Sequence, residues 1–241
     1  MRRYRSALGD ERLWFERSEI EIIIEDELRK ARLLPTPEDP FVDVERFLES
    51  HLKVTLDQYA DLEDDVLGLT EFRRGQPPVV LVNRDLTGSA MDSDWAPSGV
   101  RGRWRATLAH EAAHVVLHRV LFELDPGQEP LVEADLRDPE GHRVMRCLKR
   151  QVSFSREAWD WREVQANRGM AALLMPRGLF LDLARSLLRG VGGDSVLPAD
   201  SPEVVRLADH LAALFAVSRQ AAAIRLETLG VVGRPGEQPL L

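Results

Sequence analysis

From Ser18 to Leu34 apolar residues recur at three- and four-residue steps, with Ile20, Ile23, Ile24 and Leu28 set among acids and bases. That period predicts a helix with one buried face, and Pro35 and Pro37 end it. Pro40 opens a short second helix in Phe41–Leu48, with Val42, Val44, Phe47 and Leu48 on its buried side. The period then changes to two. Lys53–Asp57 and Val66–Phe72 alternate, and Pro78–Asn83 is an apolar run after a turn at Arg73–Pro77. Three strands are expected there, paired as a small antiparallel sheet. Thr87–Gly102 is rich in Gly, Ser, Asp and Pro and reads as a polar loop. A helix follows from about Arg103 to Phe122.

Residues 125–160 are charged, contain Pro126, Pro130 and Pro139, and suggest a hairpin around Gly141 with a strand within Val144–Val152. So long a connection is more often functional or mobile than idle. Helical patterns return at Trp161–Met175, stopped by Pro176, and at Gly178–Leu188, ended by Gly190, Gly192 and Gly193. Ser201-Pro202-Glu203 has the marks of a helix start. Ser218 caps a last helix that ends near Gly230. The fold class expected is α+β: a small antiparallel sheet beside the long central helix, then a C-terminal helical bundle with a helix-turn-helix-like end. Residues 1–124 and 161–232 read as one continuous domain, interrupted by an inserted segment at 125–160 and followed by a frayed tail at 233–241.

The chain has 241 residues and a formal net charge of −8, with charges mixed rather than blocked. That balance argues against a nucleic-acid-sheathing protein, and direct nucleic-acid binding is not expected. The single cysteine, Cys147, excludes an internal disulfide and suits a reduced, cytoplasmic setting. Met1-Arg-Arg-Tyr-Arg is not followed by an apolar signal core, and no run is long enough to span a membrane. Oligomeric state is not legible.

The chemistry concentrates in His110-Glu111-Ala112-Ala113-His114. On a helix the two histidines lie one above the other, so both rings can offer a nitrogen to one Zn²⁺. Glu111, beside them, is placed to take a proton from a water at the metal. A catalytic zinc takes three protein ligands, and no further histidine motif follows closely. A carboxylate on a later helix is therefore sought, and Glu163 in Trp161–Asn167 is the best candidate. Asn167, four residues on, could hydrogen-bond the free nitrogen of a ligand histidine. On spacing alone Glu163 reads more readily as a solvated acid in a helix's first turn.

The run from Arg105 to His118, then Glu163-Val-Gln-Ala-Asn167, then Leu173-Leu-Met-Pro176, resembles the ImmA/IrrE family of metallopeptidases. Asp39–Val44, Gly68 and Val79–Asn83 resemble that family's lead-in, and Leu207–Gly230 its C-terminal helices. The likeness covers roughly residues 20 to 232 without the insertion. It implies His110, His114 and Glu163 as zinc ligands, Glu111 as general base, and a protein substrate such as a helix-turn-helix repressor. Glu-x-x-x-Asn is also similar to the third-ligand helix of the gluzincin class. Gly169 stands where the family has an aromatic, and the gap from His114 to Glu163 is longer than usual. The rival readings are a non-catalytic, metal-binding transcriptional regulator and a toxin–antitoxin component.

Other residues admit plainer roles. His118 is about 12 Å along the axis from His110, too far for the same ion, and suits a structural or supporting place. His142 and Cys147 are two scattered candidate ligands, a weak signal. His142, Arg143 or Arg146 could instead steady an oxyanion. Trp159 and Trp161 read as packing anchors. Phe215–Leu226 resembles the turn and second helix of a helix-turn-helix, yet carries few basic residues beyond Arg219 and Arg225.

Overall fold

A computed structural model describes residues 2–5, 11–73, 75–92, 98–123, 143–148, 161–188 and 197–233. The chain is mixed α and β and mostly helical. Strands β1 (Arg2–Arg5) and β2 (Glu11–Trp14) form an antiparallel ribbon that no periodicity announced. Helix α1 (Arg17–Ala31) buries Ile20, Ile24 and Leu28. At its start the Glu16 amide donates to the Glu19 carboxylate at 2.9 Å. A turn of helix, α2 (Val44–Arg46), opens on the Asp43 side chain and widens into a π-helical turn at Phe47–His51. Val42, Val44, Phe47 and Leu48 are all buried.

The sheet corrects the expected antiparallel arrangement. Strands β3 (Thr55–Ala60), β4 (Val66–Phe72), β5 (Val79–Asn83) and β6 (Arg143–Leu148) lie in the order β3-β5-β4-β6. β4 pairs antiparallel with β5 and β6, but β3 pairs parallel with β5. β3 is thus not the neighbour of β4, and the connection between them crosses the end of β5. Asn83 holds that crossing: its amide donates to the Val66 carbonyl at 3.0 Å and the Glu63 carbonyl at 3.3 Å. Alternation marks the strands but does not encode which of them become neighbours.

The polar loop expected at Thr87–Gly102 is a second correction. Asn83 accepts from the Asp85 amide at 2.9 Å and caps α3 (Arg84–Met91), whose Thr87 and Ala90 are buried. Gly, Ser and Thr make a weak local helix signal; the cap and packing against the next helix override it. That helix, α4 (Ser98–Glu123), begins earlier than its apolar pattern suggests. Beyond it, α5 (Trp161–Leu174), α6 (Arg177–Leu188), α7 (Pro202–Phe215) and α8 (Arg219–Thr228) fall where periodicity and caps place them. Ser201 accepts from the Val204 amide at 3.3 Å and Ser218 from the Ala221 amide at 3.1 Å. Gly141, His142, Trp159, the glycines 190–193 and the tail beyond residue 233 lie outside the described residues. Among those described, no helix is long and apolar enough to cross a membrane.

Arg225 is buried and joins three elements. Its guanidinium pairs with the Glu21 carboxylate of α1 at 2.5 and 2.8 Å. It also donates twice to the Met175 carbonyl, beyond the end of α5, at 3.2 and 2.8 Å. This basic residue of α8 is therefore turned inward. Arg225→Ala leaves a half-buried carboxylate and a carbonyl without this buried cation and is expected to cost about 3 kcal/mol, read as a lower urea midpoint at an unchanged m-value.

Candidate metal centre

α4 packs on α5 on one side and on β4 on another. The approach to α5 is close because Gly169 has no side chain: an added Cβ would stand 2.7 Å from the Ala113 Cβ. That glycine lets the two helices come together. Across that contact three side chains converge. His110 Nε2 lies 2.9 Å from His114 Nε2 and 3.0 Å from Glu163 Oε2, and His114 Nε2 lies 3.3 Å from Glu163 Oε1.

A tetrahedral zinc with bonds of about 2.0–2.1 Å separates its ligands by about 3.3–3.4 Å. The three observed separations come near that, and the cluster could hold a metal ion. The donor set suits zinc but also Fe(II), Mn(II) or Co(II). His110 and His114 are 0% exposed and Glu163 4%. Burial works against the Glu163 charge, yet the adjoining His114 imidazole and hydrogen bonds to both histidines hold the carboxyl well below the usual carboxylate range.

Asn167 reaches the far side of His110, its Oδ1 3.1 Å from Nδ1. Glu111, also 0% exposed, turns to the sheet, where the Thr70 hydroxyl of β4 donates to Oε2 at 2.5 Å. In the sequence Thr70 is one more polar position in an alternating strand, with nothing to mark it as a site residue. Gly68 makes room for that carboxylate: an added Cβ would meet Glu111 Oε1 at 2.7 Å and Thr107 Cγ2 at 2.8 Å. The Thr107 hydroxyl donates to the Arg103 carbonyl at 3.1 Å, and its β-branch cannot move aside cheaply. Gly68→Ala is therefore expected to displace Glu111 and destabilise the fold by about 1–3 kcal/mol, measured by urea unfolding with metal content followed in parallel.

His118 sits behind His114, Nδ1 to Nδ1 at 3.0 Å, with its Nε2 3.4 Å from Gln165 Oε1 and its ring edge-on to Trp161 at 5.7 Å. Burial, and then the neighbouring His114, push the His118 imidazole well below its ordinary range, so it is neutral. Gln165, two residues from Glu163, carries no mark in the sequence; its burial is a property of the fold. β6 brings part of the inserted segment back to the sheet, with Cys147 in register beside Gly68. Arg143 and Arg146 lie in the same strand, in register with Phe72 and Leu69, and His142 lies outside the described residues.

No protein-family model matches this chain, and no curated protein matches it either.

Proposed function

We propose that this chain is a zinc-dependent endopeptidase of the ImmA/IrrE type that cuts a regulatory protein such as a helix-turn-helix repressor. The observation that supports this most is Glu111 set beside the buried His110–His114–Glu163 cluster. Two histidines and one glutamate are one of the ligand sets that catalytic zinc takes from its protein. When bound, such an ion supplies Lewis acidity toward the scissile carbonyl and makes water more acidic. Glu111 accepts the proton of the attacking water and delivers it to the leaving nitrogen. Thr70 orients Glu111 through Oε2, and Asn167 orients the His110 ring through Nδ1. The choice of a protein substrate, and a cytoplasmic setting for it, rest on the resemblance and composition.

A second reading is a transcriptional regulator, free or in a toxin–antitoxin pair, whose metal is structural. The full burial of Glu111 favours it, since a reacting base must meet substrate. A helix-turn-helix protein encoded beside this chain's gene is the first substrate to test. Incubated with the zinc-loaded chain and followed by intact mass, it is expected to give two fragments whose masses sum to the parent plus one water. A bound but uncut partner would favour the regulator.

A further inference from the structure

His110 and His114 are both tied at the nitrogen that faces away from the cluster, but by different means. His110 Nδ1 meets an amide oxygen, Asn167 Oδ1, at 3.1 Å. His114 Nδ1 meets another imidazole, His118 Nδ1, at 3.0 Å. Since His114 Nε2 faces the cluster and must carry its lone pair there, the His114 proton belongs on Nδ1. His118 Nδ1 must then be bare to accept it, which puts the His118 proton on Nε2, toward Gln165 Oε1 at 3.4 Å. The opposite tautomer would set two N–H groups against each other. These proton positions follow from the neighbouring donors and acceptors.

We propose that His118 is a positioning residue of the metal centre: it accepts the His114 Nδ1–H and fixes the ring with Nε2 aimed at the ion, while Gln165 sets the tautomer of His118. α5 then governs both ligand histidines, His110 directly through Asn167 and His114 indirectly through Gln165 and His118. The inference rests on the metal reading of the cluster and not on the reaction.

The test compares wild type, His118→Asn and His118→Leu by zinc competition against a chromophoric chelator. In His118→Asn the amide oxygen takes the place of Nδ1 and keeps an acceptor for His114; in His118→Leu the acceptor is gone. Zinc affinity is expected to fall about 10- to 100-fold in His118→Leu, as for other partners of ligand histidines, and to stay near wild type in His118→Asn. Equal affinity in wild type and His118→Leu, or equal losses in the two variants, would overturn the role. Imidazole ¹⁵N spectra of the zinc-loaded wild type answer without any variant: His118 protonated on Nδ1 would also overturn it. A wild type that binds no zinc would remove the metal centre itself, a different failure from a centre indifferent to His118.

Discussion

Glu111→Gln is expected to keep the metal and lose hydrolysis by about 10²- to 10⁴-fold, the range for removing a general acid–base group. That loss is equivalent to about 2.7–5.5 kcal/mol of transition-state stabilisation. The substitution is nearly isosteric, which matters in a site this tight. The amide oxygen can still accept from the Thr70 hydroxyl, and the side chain still fits the space left by Gly68. His110, His114 and Glu163 are untouched, so metal content measured by mass spectrometry should equal that of wild type. Only the capacity to take and return a proton is gone. Cleavage at the wild-type rate with full metal would remove Glu111 from the role of base. Loss of both metal and cleavage would mean that Glu111 supports the ligands rather than the reaction.

Glu163→Ala should abolish stoichiometric metal uptake. It removes the one anionic donor and leaves two imidazole nitrogens 2.9 Å apart, with no carboxylate to bring a cation between them. The effect reaches stability as well. Metal at 100 times its Kd stabilises a folded chain by about 2.7 kcal/mol, which for a chain of 241 residues raises the melting midpoint by roughly 5–10 °C. Wild type should show that rise on adding zinc and Glu163→Ala should not. Full occupancy in the variant would remove the third ligand.

Acid has the same sign on both parts of this site. Glu163 has a folded pKa below its ordinary value of 4.5. Its contribution to the metal-free fold is therefore complete above that value and lost as pH falls toward the folded one. Metal uptake also weakens as pH falls, because the ligands must be deprotonated. Stability measured against pH should drop on the acid side in wild type and be flatter there in Glu163→Ala.

The parts of this protein legible in the sequence are those set by neighbours along the chain. Ile20, Ile24 and Leu28 mark the face of α1; Ser201 and Ser218 mark the starts of α7 and α8; the four-residue spacing of His110 and His114 puts both rings on one side of α4. The same spacing on α5 places Glu163 and Asn167 together, although only resemblance chose Glu163 over an ordinary surface acid. Each of these depends on helix geometry and capping, which act within a turn or two.

Tertiary structure decided the rest, for one physical reason: the deciding contacts join residues far apart in sequence, where periodicity carries no information. The parallel pairing of β3 with β5 comes with a crossing at which Asn83 bonds residues 17 and 20 positions away. The helix at Arg84–Met91 survives weak propensity through its cap and packing. Thr70 meets Glu111 across 41 residues, and His118 meets Gln165 across 47. By itself the sequence determined which residues could bind a metal and that two of them share a helix face. Only the fold, through the close approach at Gly169 and the space left by Gly68, decided that the third donor meets them in a buried site and what holds each ring in place.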